Sequence, residues 1–173
     1  DTMPFALDIL SDILAGNASS RFDKNLVRGK QTALSAGTHY DIISREMPLF
    51  SVIAMPAEGV KADTLITQLR QEIKDIADNG VSEEELQRVK TQAAVNEIYA
   101  KDSMSSQASM MGRLEARGFQ YTDEQEIHRR LQAVSAQEVQ AAARMLTDER
   151  MSTVIIEPQK PAAAPSKKAA KRR

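Results

Sequence analysis

The sequence predicts an α+β domain in which helices pack on one face of a mixed or antiparallel sheet. After an opening helix, an alternating segment and an apolar run lie together at residues 32–55, and segments with helical periodicity then extend from 62 to 147. Strands gathered in one block and helices in another are typical of the α+β class. Since only three strands are predicted, we expect the domain to be a piece of a longer chain that supplies its first strand or strands.

The domain opens with a predicted helix over residues 4–15, where apolar residues form a broad stripe that ends at Gly16. A short second helix is expected to reach Arg28, with Ser19 or Ser20 available to cap it.

Two strands follow and are predicted to form a hairpin. Residues 49–55 are apolar on both faces, as expected of a strand that is covered on both sides. A turn around residues 44–46 would join them, and residues 152–156 read as a third, short strand. In the first strand, residues 32–40, period-two alternation places on one face Thr32, Leu34, Ala36, Thr38 and Tyr40.

Helical patterns account for most of the remainder. Predicted helices cover residues 62–78, 82–101, 103–117, 122–133 and 135–147. Capping-box sequences open three of them, two strong and the last weaker, at Ser82–Glu85, Ser135–Glu138 and Thr122–Gln125.

Composition excludes several kinds of site. The chain has no Cys, so disulfides, thiolate metal sites and a cysteine nucleophile are ruled out. No apolar run approaches the length of a transmembrane segment. Aromatic residues make up only 4% of the chain, and therefore Met104, Met110 and Met111 are expected to fill the core, with an adaptable binding surface as the alternative.

Charge is distributed unevenly along the chain. Six basic residues and no acidic ones lie after Pro158, which leaves 17 basic against 24 acidic residues, a net charge of about −7, in the body. We therefore predict a folded domain over residues 1–158 and a disordered basic tail over 159–173. The tail either solubilises the chain or attracts an acidic partner, anionic lipid or nucleic acid. Specific nucleic-acid recognition is not expected, since no aromatic residues interleave the cations.

The residues do not support a metal site or a nucleophile. His39 and His128 are far apart, and neither belongs to a His-x-x-Glu-His motif or its inversion. No Gly-x-Ser-x-Gly motif and no phosphate-binding glycine pattern occurs. The prediction is no catalytic residue, no metal ligand and no cofactor in this chain.

One charged cluster looks like a built site. It lies between the first helix and the first strand and comprises Arg21, Lys24, Arg28 and Lys30. Such a group could hold a carboxylate or a peptide carbonyl, and the open edge of the next strand could add a peptide by β-augmentation. The alternative is a solvated basic turn.

Three segments point to a family: ALDILSDILAGNASSRFDKNLVRGKQTA, NGVSEEELQRVK and LQAVSAQEVQAAARMLTDERMSTVIIEP. With them the chain resembles, over nearly all of residues 1–158, the C-terminal domain of the pitrilysin/insulinase family of zinc metallopeptidases, which includes mitochondrial processing peptidase. That resemblance implies an α+β unit that is repeated in pairs, with two halves enclosing a chamber.

The family resemblance also implies where the zinc is. Its ligands belong to another domain type, so we expect zinc only in an upstream domain or a partner subunit, and no activity in this chain alone. Expected partners are the other domains of the parent chain or a partner peptidase subunit, together with a peptide substrate. The family is often exported in bacteria, which makes a periplasmic parent an expectation.

In the family's non-zinc half, an Arg and a Tyr seven positions apart reach the substrate. Aligned on the segment LVR, the Arg position falls on Arg28 and the Tyr position on Ser35. A Ser hydroxyl is too short to replace the phenol as an oxyanion donor, and Tyr40 is predicted on the opposite face of the strand. Arg28 is thus a substrate-binding candidate, while Ser35 is expected to be non-functional.

Two origins fit this departure, a zinc-bearing half that does not need the pair or a non-catalytic partner whose pair has decayed. The resulting hypothesis is a non-catalytic domain that forms chamber wall, substrate-contacting and inter-half surface. The alternative is a structural or protein-interaction module that has no proteolytic role.

Overall fold

The computed structural model describes residues 1–44, 46 and 48–157 and confirms the α+β class. The predicted tail, residues 159–173, lies outside the described residues. The elements in chain order are α1 (Met3–Ala15), a π-helix (Asp23–Gly29), β1 (Ala33–His39), β2 (Ser51–Pro56), α2 (Ala62–Asn79), α3 (Glu83–Lys101), α4 (Met104–Ala116), α5 (Asp123–Ala133), α6 (Ala136–Met145) and a 3₁₀ turn (Asp148–Arg150). None of the helices in the described part of the chain is both long and apolar enough to span a bilayer.

Helix α1 is the centre of the core. Its apolar stripe predicted from the sequence is almost completely buried at Ile9, Leu10, Ile13 and Leu14. The helix packs against α6, α3 and α5 and against β1. Burial of each such side chain contributes roughly 1.5–3 kcal/mol, so α1 organises the helical layer on one face of the sheet.

Strands β1 and β2 form the predicted antiparallel hairpin, with Ala36 opposite Ala54. The register shifts between Ala33 and Ser35, and this β-bulge changes which residues face the core. Ala33 is buried, whereas Leu34 is exposed. The predicted placement of Leu34 on the face of Ala36 is therefore wrong, because a bulge breaks the period-two pattern.

The outer face of the hairpin is uncovered. Leu34, Leu49, Ile53 and Met55 are all exposed, and Ile53 retains 73% of its accessible surface. The prediction that residues 49–55 would be covered on both sides is wrong for the described residues, since the helices all pack on the opposite face. We call these four side chains the outer hairpin face.

The third predicted strand is not formed. Residues 152–156 have no strand pairing within the described part of the chain, and Val154 and Ile156 are exposed. β-branched residues favour a strand only where a sheet edge receives it. The prediction of a strand at residues 152–156, which follows from their β-branched composition, is therefore wrong.

The three predicted capping boxes form to different extents. Ser135 and Glu138 form the complete capping box. The hydroxyl of Ser82 accepts from the backbone N–H of Glu85, but the carboxylate of Glu85 is bonded to an arginine instead. Thr122 makes no capping hydrogen bond, because its backbone is helical (φ −67°, ψ −18°) rather than extended.

Two of the three methionines predicted to fill the core do not. Met104 is 86% exposed and Met111 is also exposed. Helix α4 buries only Leu114. The core-filling interpretation is wrong here because α4 packs on the domain through its last turns alone.

A group of carboxylates lies where α1 meets the end of the hairpin. Burial, with a smaller effect of the nearby Asp12 and Asp41, raises the pKa of Asp8 to about 7. Burial also raises the pKa of Asp12. The pKa of Asp41 is lowered despite its desolvation, because Arg117 and a backbone N–H donate to it. Asp8 therefore gains a proton on folding near neutral pH.

We predict that Asp8→Asn stabilises the domain in a pH-dependent way. The pKa of Asp8 is about 7 in the folded state, against an ordinary value of 3.8. Its contribution to stability is thus fully present below pH 3.8 and is lost as the pH rises through 7. At pH 8 the amide should raise the free energy of unfolding by about 1–2 kcal/mol, and at pH 4 by almost nothing. Urea unfolding at both pH values measures the difference; Asp102→Asn, an exposed carboxylate, is the control and should show no pH-dependent gain.

Candidate functional site

The predicted basic cluster borders a cavity of about 700 Å³. One side is the segment around the π-helix, and the other is the end of α2 with the start of α3. The lining residues are Ser19, Arg21, Lys24, Asn25, Arg28, Asp75, Ser82, Glu84, Glu85 and Arg88. Lys30 does not line it. The cavity is therefore mixed in charge, with acidic as well as basic side chains on its walls.

Arg21 serves the structure of the domain. Its Nε and Nη2 donate to the two carboxylate oxygens of Glu85 at 3.0 and 2.9 Å, and its Nη1 donates to Asp75 at 2.7 Å. The side chains of Arg21 and Glu85 are each only 16% exposed. A bidentate guanidinium–carboxylate pair of this kind is strong and geometrically specific. Arg21 thus ties the segment before the π-helix to α2 and α3 and is committed to that contact.

A second polar contact holds the π-helix in place. The amide of Asn25 donates to the carboxylate of Glu72 on α2 at 2.7 Å, and Glu72 is buried. Ser20, expected as a cap, instead donates its hydroxyl to the carbonyl of Asn17 at 2.6 Å. The backbone hydrogen bond from Lys30 to Asn25 spans five residues, which is the π-helical spacing.

Arg28 stands near the end of the π-helix and remains 60% exposed at its side chain. Its Nε donates to Asp23 at 2.7 Å, and its Nη2 donates to the carbonyl of Ala18. These contacts are within its own segment, so they hold the guanidinium at the mouth of the cavity. Lys24 and Arg88 line the same cavity.

Ser35 lies elsewhere. It is exposed on β1, opposite Met55 in the strand register, and it is not among the residues that line the cavity. Between Arg28 and β1, Gln31 has a positive φ of 53°, a backbone conformation that residues other than Gly rarely adopt. Tyr40 packs on the core side, where its ring centroid is 6.1 Å from that of Phe50. Arg28 and Ser35 thus do not share one pocket.

The described residues do not fit a zinc ion. His39 is on β1 and His128 is on α5, where its Nδ1 is 2.6 Å from Glu97 of α3. In the described part of the chain, no three His, Asp or Glu side chains lie close enough together to hold a metal ion. No step of a zinc-dependent reaction is assigned to these residues.

The outer hairpin face is the feature that the sequence interpretation missed. Its signal was the apolar character of both faces of residues 49–55, which was read as two-sided burial. Leu49 is 79% exposed and Ile53 is 73% exposed, so the outer hairpin face is a candidate surface for contact with an extended chain.

The family model for the peptidase M16 inactive domain matches residues 4–93, which is more than half of the chain. No curated protein sequence matches the chain.

Solved structures share the fold. Two of them, from Bordetella species, are described as belonging to a "putative zinc protease". The inactive peptidase domain from Bordetella parapertussis has a TM-score of 0.79 at 19% identity, with 95% of this chain and 88% of that chain covered. The protein from Bordetella pertussis Tohama I has a TM-score of 0.69 at 19% identity, with coverage of 83% and 78%.

A protease from Helicobacter pylori is similar over 83% of this chain, with a TM-score of 0.76 at 19% identity. The aligned region spans only 34% of that protease. The fold described here therefore occurs both as a separate domain structure and as about a third of a longer protein.

We predict that Arg21→Met destabilises the domain by about 2–3 kcal/mol, since it leaves the carboxylates of Glu85 and Asp75 without their partner. Denaturant unfolding measures this loss. The matched control is Arg129→Met, which removes an ion pair to Glu126 that is largely exposed and should therefore cost much less stability. Equal losses in the two variants would contradict the structural role of Arg21.

Proposed function

The chain belongs to the family of peptidase M16 inactive domains, and from this we propose that it is a non-catalytic domain of a zinc metallopeptidase-like protein. In this role it forms part of the chamber wall, contacts the peptide substrate and meets the other half of the enzyme. Peptide hydrolysis takes place elsewhere, at a zinc ion held by an upstream domain or a partner subunit.

The observation that carries the proposal is the outer hairpin face. Three of its four exposed apolar side chains lie on a two-stranded sheet whose other face is packed against helices, and the fourth, Leu49, lies just before β2. An apolar surface of this kind in a folded domain marks a contact site. The side chains of an extended peptide alternate, so every second one could lie on this face while its backbone remains available for hydrogen bonds.

Arg28 and Ser35 fit a contact role better than a chemical one. The guanidinium of Arg28 keeps an exposed donor surface near the mouth of the cavity, where it can hold a carboxylate or a carbonyl of the substrate. The hydroxyl of Ser35 is short and lies on the outer side of β1, next to Met55 in the register. This hydroxyl does not supply the long donor that would be needed to stabilise an oxyanion.

The second candidate is a structural or interaction module without a role in proteolysis. It is favoured by the contacts of Arg28 with Asp23 and Ala18, which occupy its Nε and Nη2 within its own segment. The sequence that precedes Asp1 in the parent separates the two candidates. A His-x-x-Glu-His motif there, or in an obligate partner, favours the peptidase role.

We predict that the purified chain binds no stoichiometric zinc and cleaves no peptide. The described residues offer no three-ligand cluster. After dialysis against zinc and then buffer, elemental analysis should find far less than one zinc per chain. One tightly bound zinc, or peptide cleavage that a chelator abolishes, would overturn the non-catalytic assignment.

We also predict that the chain binds unstructured apolar peptides weakly through the outer hairpin face. Ile53→Lys should reduce the affinity about tenfold, since it puts a charge at the centre of the apolar surface. Fluorescence anisotropy with a labelled extended peptide measures this. Ile98→Lys is the matched control, because Ile98 is equally exposed but lies on α3. If both variants bind like the parent chain, the hairpin is not the peptide surface.

A further inference from the structure

Three basic side chains at the cavity beside the π-helix keep hydrogen-bond donors that the described residues do not use. Lys24 is exposed and makes no side-chain hydrogen bond or ion pair within the described part of the chain. Arg88 reaches only the carbonyl of Ser19, at 3.5 Å, which is long for a hydrogen bond. The two contacts of Arg28 use Nε and Nη2, so the donors of its Nη1 are also without a partner there. These donors are available to a ligand.

The walls that carry these donors are fixed by other contacts. Lys24 and Arg28 lie on the π-helix and Arg88 lies on α3, so the donors line the cavity from two sides. The bidentate contact of Arg21 with Glu85 joins the two walls. Because that contact uses none of the free donors, the walls are already in place before a ligand arrives. The entropy cost of ordering them on binding is therefore small.

The lining of the cavity has a small surplus of positive charge. It contains four basic and three acidic side chains. Two of the acids, Asp75 and Glu85, accept hydrogen bonds from Arg21, which leaves Glu84 as the one lining acid that is not bonded to it. The body of the chain is acidic overall, with 17 basic against 24 acidic residues, so the surplus is local. A surplus of about one charge matches a carboxylate, whereas a doubly charged phosphate would exceed it.

We infer that the cavity anchors a carboxylate of the bound peptide, with Lys24 and Arg88 as donors beside Arg28. Guanidinium and ammonium groups form hydrogen bonds with carboxylates that are shorter and stronger than those between neutral groups. The π-helix leads directly into β1 and is in contact with it, so the cavity and the outer hairpin face belong to one region of the domain. The inference rests on the proposed function, to which it adds the class of peptide. The carboxylate belongs to a Glu or Asp side chain or to the C-terminus of that peptide.

The test is fluorescence anisotropy of the full chain with four forms of one unstructured apolar peptide that is labelled at its N-terminus. One form has a single Glu and a free C-terminal carboxylate. In the other three, Gln replaces the Glu, an amide replaces the C-terminal carboxylate, or both changes are made. Removal of both carboxylates should weaken binding about tenfold, and the single replacement that causes the loss identifies the source. Equal affinities of the four forms would overturn the inference.

A double variant assigns the contact to the cavity. Lys24→Gln with Arg88→Gln should bind the peptides with and without carboxylates alike, while its affinity for the carboxylate-free form stays unchanged. The charge-matched control is Lys61→Gln with Arg129→Gln, two exposed side chains that do not line the cavity, and it should keep the full preference. All four positions are exposed, and thermal unfolding checks that both variants fold. Loss of the preference in the control as well would indicate a general effect of net charge and refute the site.

Failure of this inference is distinguishable from failure of the proposed function. If the four peptides bind equally and Ile53→Lys still weakens them, the peptide contact of the outer hairpin face stands and the carboxylate site does not. If no form binds, both are overturned. High salt should reduce the preference for the carboxylate but not the affinity for the carboxylate-free form, because screening acts on exposed charges. A preference that salt does not change would contradict a contact with these exposed cations.

Discussion

The burial of α1 is the constraint on which the rest of the domain depends. This helix is in contact with the helical layer on one side and with the hairpin on the other, through α6, α3, α5 and β1. Its polar residues are also used, since Ser11 donates its hydroxyl to Thr38 on β1 at 2.9 Å and accepts at its carbonyl from Thr38 at 2.8 Å. This helix–sheet contact covers one face of the hairpin, and the opposite face stays exposed in the described part of the chain, where it can meet another molecule.

Arg21 contributes to the fold and not to an open anion site. Its partners Asp75 and Glu85 neutralise it while linking the end of α2 to the start of α3. The basic charge that remains at the cavity comes from Lys24, Arg28 and Arg88, and the acidic Glu84 also lines it. One arginine of the predicted cluster thus holds elements together, and Arg28 keeps an exposed side chain for contact with a partner.

The outer hairpin face limits the shape of the partner that the domain can bind. It is built largely on strands, whose side chains alternate, and is therefore matched to an extended chain. A family fold by itself does not assign a function, so the proposed role depends on this surface.

The helices, the hairpin, the capping box at Ser135 and the family could be predicted from the sequence, because periodicity, caps and motifs are short-range properties of the chain. The bulge at Leu34, the absence of a strand at 152–156 and the exposure of Met104 could not, because they depend on tertiary contacts. The same holds for the pairing of Arg21 with Glu85, a residue 64 positions away. Whether a side chain is buried or paired depends on which elements meet it, and that information is not local to any segment.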